Sequence, residues 1–142
     1  SMGVVQIASV DENGVPNMTP IGSLFLTGES RGFFCNRFPQ NLNKNLQAND
    51  NICVIAMNTS KWFWIKSLFK GRFVTCPGIK LFGRVGERRP ISDHEKAKWE
   101  KLVRPFRLFK GHDLLWKDMA HASDIHFESF EYLNAGKMTQ SL

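Results

Sequence analysis

The side chains that could carry acid–base, nucleophilic or metal chemistry are scattered along this chain and form no recognisable motif. The four histidines have no metal-ligand spacing, and the closest pair, His121 and His126, lies five residues apart across a predicted break between elements. The sequence contains no GxSxG nucleophile elbow, no HExxH motif and no glycine-rich phosphate loop. Asp113 and Asp118 are also five residues apart, which does not place two carboxylates on one helical face. We therefore assign no catalytic residue and expect no metal site.

The three cysteines, Cys35, Cys53 and Cys76, are widely spaced. An odd number without a CxxC pair argues against a disulfide framework and against a thiolate zinc site. Cys35 ends a predicted strand, where it could be exposed, but no neighbouring histidine would activate it as a nucleophile. Either the chain is a binding module, or a bound cofactor supplies the chemistry.

The composition is that of one ordinary globular domain, which we take as residues 1–142. The chain has a mass of 16.3 kDa with 42% hydrophobic and 23% charged residues, so disordered and collagen-like classes are excluded. It has no apolar stretch of the roughly 20 residues that span a bilayer, and no basic-then-apolar start typical of a signal peptide. These patterns predict a cytoplasmic protein without a membrane partner.

The net charge of +6, from 19 basic and 13 acidic side chains, favours an anionic partner. Nucleic acid, a phosphorylated cofactor and an acidic metabolite all fit this charge. Residues 60–78 mix aromatic side chains with lysines, a pattern that could stack the bases of a single strand. We favour a core strand or a subunit interface for this segment, with its lysines in solvent, and do not expect a nucleic-acid partner.

The first half of the chain has the pattern of β-structure. β-branched residues at 4–10 precede Asn13-Gly14, the dipeptide typical of a tight hairpin turn. A second strand is predicted over 15–27, where Pro16 and Pro20 require a sheet edge or a broken strand because proline donates no hydrogen bond. A short strand over 33–36, a helix over 39–49 and a buried strand over 51–58 are predicted to follow.

The second half is predicted to add helices to the sheet. Residues 79–89 indicate a strand in which Gly83 and Gly86 allow bulges. Ser92-Asp93-His94-Glu95 is a capping box that begins a helix, and Pro105 is expected to kink or end it. A second helix over 112–121 and a last strand over 124–133, with a bulge near Ser129, complete the prediction. The fold class is therefore mainly β with appended helices, in the form of a small barrel.

Residues 5–57 resemble the pyridoxamine 5′-phosphate oxidase-like FMN-binding split-barrel family. Three motifs carry the resemblance, in the family's order and at nearly its spacing: Gly14-Val15-Pro16 after the hairpin, Phe33-Phe34-Cys35-Asn36 in the next strand, and Asn45-Leu46-Gln47-Ala48-Asn49 at the end of the helix. The C-terminal quarter is similar to one branch of the family more loosely, through 115–119 and 136–139.

The resemblance implies a six-stranded antiparallel split β-barrel of Greek-key type, assembled as a homodimer with FMN in two interface clefts. The residues at the family's cofactor positions would contact the flavin ring, its ribityl chain or its phosphate. They are Thr19, Pro20, Ile21, Gly22, Ser23, Cys35, Asn36, Arg37, Gln40, Asn41 and Leu42.

Two of these positions depart from the oxidase itself, which has Arg in place of Thr19 and Lys in place of Leu42. Because a phosphate dianion needs donors and positive charge, Arg37, Lys44 and the first amides of the short helix would have to substitute. The oxidase's C-terminal substrate-recognition segment is not recognisable either, so oxidation of pyridoxamine phosphate is not expected. Trp64 and Trp116 are the candidates to cover the flavin ring.

The leading hypothesis is a flavoprotein oxidoreductase that passes electrons from a reduced nicotinamide, or a similar donor, to an unknown acceptor. The cofactor would then supply the redox chemistry, which explains the missing acid–base set. An alternative is a non-catalytic FMN- or haem-binding module that acts as a sensor or carrier. A barrel that binds single-stranded nucleic acid is a third possibility.

Overall fold

One antiparallel sheet of seven strands forms the centre of the protein, whose structure, a computed structural model, describes residues 4–35 and 40–142. The spatial order of the strands is β2-β1-β5-β6-β7-β4-β3. In chain order they are β1 Val5–Val10, β2 Pro16–Ile21, β3 Leu24–Leu26, β4 Arg31–Cys35, β5 Asn51–Met57, β6 Gly78–Pro90 and β7 His121–Tyr132. The predicted class, mainly β with appended helices, is confirmed.

The β1–β2 hairpin forms at the predicted turn. Gly14 adopts a φ of 79°, a left-handed conformation that glycine tolerates without steric cost. The Asp11 carboxylate accepts hydrogen bonds from the amides of Asn13 (2.9 Å) and Val15 (2.8 Å), which holds the turn closed. The pairing continues to Val5 opposite Ile21.

The predicted number of six strands is wrong, because the single strand expected over 15–27 divides in two. β2 ends at Ile21 and pairs with β1, whereas β3 begins at Leu24 and pairs with β4. These two strands are the opposite edges of the sheet, so the proline-containing strand is an edge, as predicted. Three peptide units span at most about 11 Å. The sheet must therefore curl until its two edges approach each other at Gly22 and Ser23.

Four helices accompany the sheet: α1 Gln40–Ala48, α2 Lys61–Lys70, α3 Asp93–Val103 and α4 Lys110–Trp116. Short 3-10 turns follow at Arg104–Phe106, where Pro105 ends α3 as predicted, and at Gly136–Thr139. α4 ends earlier than expected because the chain already pairs as β7 from His121. No helix in the described part of the chain has the length and apolar character needed to cross a membrane.

The aromatic segment 60–78 contains a helix, and the expectation of a core strand there is wrong. Ser60 caps α2 by accepting from the Phe63 amide, and Gly71 ends it at a φ of 64°. The inner face of α2 rests on Phe73, whose ring centroid lies 5.6 Å from that of Phe63 and 5.4 Å from that of Trp64. Aromatic residues favour strands on propensity, but here the two caps and this packing determine a helix.

The long β6–β7 ladder contains the predicted bulges. Phe82 lies opposite Ser129 whereas Gly83 lies opposite Phe127, so β7 carries an extra residue beside Ser129. A second register shift lies between Val85 and Arg88. A Cβ on Gly83 would overlap the carbonyl oxygen of His126, and this close backbone approach requires glycine there.

Two hydrophobic clusters lie on opposite faces of the sheet, and β4 contributes to both. Phe34 belongs to the larger cluster, which fills the inside of the curled sheet together with Leu42 of α1. Phe33 belongs to the smaller one, under α3 and α4, with Trp99, Val103 and Met119. Since successive strand residues point to opposite faces, β4 is buried on both sides, and its end is held firmly between the two layers.

Candidate cofactor-binding cleft

The junction between β2 and β3 is tied to the end of β4 by one serine. The Ser23 hydroxyl donates to the Cys35 carbonyl at 2.7 Å and accepts from the Cys35 amide at 3.2 Å. Ser23 is 4% exposed and Cys35 is 3% exposed, so both hydrogen bonds are shielded from water. This arrangement fixes the backbone of Gly22, which is exposed between the two strands.

A cleft of about 340 Å³ opens beside this junction. Seven of the predicted cofactor-binding residues line it together: Thr19, Pro20, Ile21, Gly22, Ser23, Cys35 and Trp116. The far wall comes from α3, α4 and the chain that follows, and it consists of Trp99, Leu115, Trp116 and Met119. Pockets that bind small molecules are mostly apolar with few polar groups, and this lining fits that description.

Gly22 offers space for a flat group to approach the backbone. A Cβ at this position would have one neighbour within 4 Å, the Cγ2 atom of Val4 at 3.9 Å. The glycine is therefore not required by packing against protein atoms, and its φ is not in the left-handed region. Its small size leaves the floor of the cleft open.

The indole walls of the cleft are connected to each other. The Trp99 Nε1–H donates to the carbonyl of Trp116 at 3.3 Å, which links α3 to the end of α4. Phe106 also packs on Trp116, with ring centroids 5.6 Å apart. The sequence predicts that Trp99 lies on the apolar face of a helix, but it does not predict that Trp99 also lines the cleft. The neighbouring residues do not indicate which other elements pack against that face of α3.

Cys35 is not a nucleophile in this setting. Burial in the layer under α3, reinforced by the negative charge of Glu95, raises the pKa of its thiol to about 12. The thiolate is the reactive form of cysteine, and it is scarce at physiological pH under these conditions. The expectation that Cys35 could be exposed is wrong, because β4 is covered on both faces.

Two further cavities, of about 390 Å³ and 550 Å³, continue from the cleft toward α1. The first shares Thr19 and Pro20 with the cleft and adds Gln40, Asn41 and Leu42. The second shares Asn41 with the first and is lined by one cation, Lys44, and by two acids, Asp11 and Glu12. The described residues among the predicted phosphate-side positions, Gln40, Asn41, Leu42 and Lys44, thus line cavities that adjoin the cleft.

Leu42 differs from its neighbours on this surface. It is 0% exposed and packs in the larger core, so its side chain anchors α1 and leaves only its backbone for a ligand. A buried hydrogen bond from the Asn45 amide group to the Ser9 hydroxyl, 3.0 Å long, holds the next turn of α1 against β1. The first turn of α1 carries no acidic residue that would repel an anion.

The remaining predicted positions are not part of this cleft in a single chain. Trp64 packs on Phe73 under α2, and its Nε1–H donates to the Asn58 carbonyl at 2.7 Å. Asn36 and Arg37 lie outside the described residues. Within the described ranges, no three His, Cys, Asp or Glu side chains are grouped so that they could hold a metal ion.

The wall formed by α3 is fixed by an ion-pair network that sequence reasoning did not find. Arg89 of β6 donates to both carboxylate oxygens of Glu95, at 2.8 and 2.6 Å, and to both of Asp124, also at 2.8 and 2.6 Å. Hydrogen bonds from Arg89 lower the pKa of Glu95 to about 2. Glu95 also closes the predicted capping box with Ser92. One carboxylate therefore caps α3 and binds it to the sheet.

A larger cavity of about 850 Å³ lies on the other side of Trp116. Four cations line it: Lys101, Arg104, Arg107 and Lys117. Two acids, Glu100 and Asp113, also line it, and Asp113 is engaged with His112 at 3.1 Å and Lys117 at 3.7 Å. The surplus of positive charge would favour an anionic group beside the first cleft.

No protein-family model and no curated protein sequence matches this chain. Solved structures do match it over most of their length. An FMN-binding protein from Syntrophomonas wolfei gives a TM-score of 0.65 at 11% identity, covering 94% of this chain and 78% of that one. A Lactobacillus delbrueckii protein assigned as a pyridoxamine 5′-phosphate oxidase gives 0.57 at 15% identity, covering 91% and 84%. The haem storage protein HutZ from Vibrio cholerae gives 0.59 at 13% identity, covering 93% and 89%.

The chain has the fold of the pyridoxamine 5′-phosphate oxidase-like FMN-binding proteins. Proteins with this fold include one that binds FMN and one that stores haem, so the fold alone leaves the cofactor open. The choice between FMN and haem for this chain therefore depends on the residues that line the cleft.

Proposed function

We propose that this chain binds FMN in the cleft between Gly22 and Trp116 and acts as a flavoprotein oxidoreductase. One observation carries the proposal: the β2–β3 junction, the end of β4 and the indole walls of α3 and α4 line a single apolar cleft. A flat aromatic ring would lie against the open backbone at Gly22, with Trp99 and Trp116 as its outer wall. We place the ribityl chain and its phosphate along the surface that runs from the cleft to the start of α1.

The phosphate would be bound near the start of α1. Gln40 and Asn41 offer amide groups, Lys44 offers charge, and the first turn of α1 has no acidic side chain. Because the carboxylates of Asp11 and Glu12 line the same cavity as Lys44, we place the phosphate on the Gln40–Asn41 side of it. Arg37 is the further cation that we propose for this end. Leu42 takes part through its backbone alone, since its side chain is in the core.

Bound FMN would supply the redox chemistry, accepting electrons from a reduced nicotinamide or a similar donor and passing them to an acceptor. The protein's part is to bind and orient the ring and to exclude water from it, and no side chain is required as a catalytic acid or base. The cationic cavity behind Trp116 supports a donor that carries phosphate groups.

We further propose that the working form is a homodimer in the form of a split β-barrel, with each FMN at the subunit interface. The cleft of a single chain, about 340 Å³, is at the lower end of the range for small-molecule sites. A second copy across its open side would complete the walls around the ring. Trp64 is half-buried against Phe73 in its own chain, so the exposed part of its indole is what it would offer as a wall residue from the partner.

The substitution Gly22→Trp tests the placement of the flavin. An indole on the cleft floor would occupy the position of the ring, so we expect flavin retention after desalting to fall at least tenfold, measured by absorbance in the visible range. Gly28→Trp is the matched control, because Gly28 is also an exposed turn glycine with open space around its Cβ position. Unchanged flavin content in Gly22→Trp would contradict the proposed site.

Haem is the second candidate, because HutZ shares the fold at a comparable TM-score. The lining of the cleft favours FMN. Among the described residues it contains no histidine, its cysteine is held as a neutral thiol, and Met119 is the remaining residue with a donor atom typical of an axial ligand. Addition of haem to the flavin-free protein tests this alternative, and a stable Soret band that Met119→Leu abolishes would favour haem.

A further inference from the structure

The outer face of α2 is an apolar strip with a cationic border. Trp62, Ile65 and Phe69 follow one another at spacings of three and four residues, so they lie on one face of the helix. They are 70%, 51% and 94% exposed, and the adjacent Leu68 is 67% exposed. Large side chains exposed together in this way mark an interaction surface.

The border of the strip carries positive charge alone. Lys66 and Lys70 lie along one side of it, Lys61 lies along the other, and Arg72 follows the end of the helix. The sequence has no aspartate or glutamate between residues 51 and 86. Among the described residues, no carboxylate forms a salt bridge with any of these four cations.

The helix is already formed and anchored without a partner. Ser60 and Gly71 cap its ends, and Phe63 and Trp64 hold its inner face on Phe73. Binding through the outer face would therefore cost little ordering entropy. The strip itself makes no contribution to either core cluster of the described residues.

We propose that this face of α2 binds the surface of an anionic phospholipid bilayer. An interfacial helix has Trp, Phe and aliphatic residues on one side and Lys or Arg at its borders, and it lies in the headgroup region with its apolar side inserted. The α2 face has this composition. The sequence predicts no membrane partner because it has no stretch long enough to span a bilayer. That prediction does not apply to a helix that lies flat on the membrane surface. The inference is independent of the proposed flavin.

Charge distinguishes this occupant from a second copy of the chain. A two-fold contact places the same patch on both subunits. The lysine borders of two α2 helices would then face each other with no carboxylate to neutralise them, which is unfavourable. A leaflet of acidic lipids is complementary both to the cations and to the apolar strip between them.

The arrangement of the rings also favours lipid over single-stranded nucleic acid. Base stacking requires accessible aromatic faces in succession. Two of the four aromatic side chains of α2, Phe63 and Trp64, are packed on Phe73. The exposed strip alternates aromatic with aliphatic residues, since Ile65 lies between Trp62 and Phe69. Such a strip suits acyl chains better than bases.

Co-sedimentation of the purified protein with vesicles tests the proposal. We expect binding to phosphatidylcholine vesicles that contain about a third phosphatidylserine, and little binding to pure phosphatidylcholine, because each basic residue near an acidic leaflet strengthens binding by about fivefold. Binding should weaken as salt is raised. No binding to either vesicle, or equal binding to both, would overturn the proposal.

Exposed variants identify the face. Phe69→Ser should lower the vesicle partition coefficient by about tenfold or more, as expected for losing one inserted aromatic side chain. Leu108→Ser is the matched control, because Leu108 is 97% exposed and lies outside α2. Lys66→Gln should cost about fivefold, and Lys96→Gln, an exposed lysine on α3, should cost nothing.

The same variants test the competing occupants. Size-exclusion chromatography with light scattering compares the oligomeric state of Phe69→Ser with that of the native chain. If the native chain self-associates and the variant does not, the α2 face binds a second copy of the chain and the proposal is overturned. Saturable binding of an oligothymidylate that Phe69→Ser abolishes would assign it to nucleic acid and overturn the proposal equally. An unchanged oligomeric state together with vesicle binding lost only in the α2 variants supports it.

Discussion

At the scale of single residues, the cleft depends on small groups that position others. Gly22 has no side chain, which leaves the floor of the cleft open. The Ser23 hydroxyl connects the junction between β2 and β3 to the end of β4. Cys35 matters through its backbone, which Ser23 holds, since its thiol stays neutral. The family pattern named these residues as cofactor-binding candidates, but the structural role of each one could not be predicted because it depends on burial.

Ser23→Ala should destabilise the protein by about 1–3 kcal/mol, since it leaves the buried amide and carbonyl of Cys35 without their partner. Urea unfolding followed by tryptophan fluorescence measures this free energy. Ser129→Ala, at an exposed serine beside the β7 bulge, is the control and should change the unfolding free energy by less than about 0.5 kcal/mol. Equal effects of both variants would refute the positioning role of Ser23.

At the scale of elements, the features that were predicted correctly are those with local causes. The Asn13-Gly14 turn, the Ser92 capping box and the bulge beside Ser129 each depend on a few neighbouring residues. The helix α2 was missed because its aromatic residues favour strands, and its helical state depends on packing against Phe73. The division of β2 from β3 was missed because it depends on where the distant strand β4 lies.

Glu95→Gln should weaken the attachment of α3 to the sheet by about 1–3 kcal/mol at neutral pH, because it replaces charge-assisted hydrogen bonds to Arg89. The folded pKa of Glu95, about 2, is below the ordinary value of 4.5. Its stabilising effect is therefore complete above pH 4.5 and is lost as the pH falls toward 2. Urea midpoints of the two proteins should converge over that window, and a constant difference down to pH 2 would contradict this assignment.

Gly83→Ala should destabilise the β6–β7 ladder, since the new methyl group would overlap the carbonyl oxygen of His126 and part of the backbone must move. We expect a loss of about 1–3 kcal/mol, typical of overpacking a tight site. Thermal unfolding compares this variant with Gly28→Ala, whose Cβ position has open space. If the two variants melt at the same temperature, the close approach at Gly83 does not constrain the ladder.

At the scale of the whole molecule, Trp116 separates two cavities of different character. The smaller one is apolar and meets the strand ends, and the larger one carries a surplus of cations. Sequence patterns indicated the strand side of this arrangement through the family motifs. The helical side, with Trp99, Met119 and the two arginines after α3, could not be predicted, because it requires knowing how α3 and α4 fold back over β4.

Arg107→Gln should raise the KM for NADPH by about fivefold in the flavin-loaded protein, the effect of losing one exposed ion pair with a phosphate group. Its kcat and its FMN retention should stay near those of the native protein, because Arg107 does not line the flavin cleft. Arg72→Gln, an exposed arginine outside both cavities, is the control. A loss of FMN in Arg107→Gln would show that the two cavities are not separate sites.

The pairing of β4 with β7 has a consequence for how the protein is made. Residues 31–35 pair on one side with β3, which is close in sequence, and on the other side with residues 122–126 of β7. During synthesis on the ribosome, the strand end that carries Cys35 and the junction that carries Gly22 emerge well before the strand that closes their sheet. A nascent chain therefore cannot assemble the cleft before β7 leaves the exit tunnel, and any cofactor must be acquired after that point.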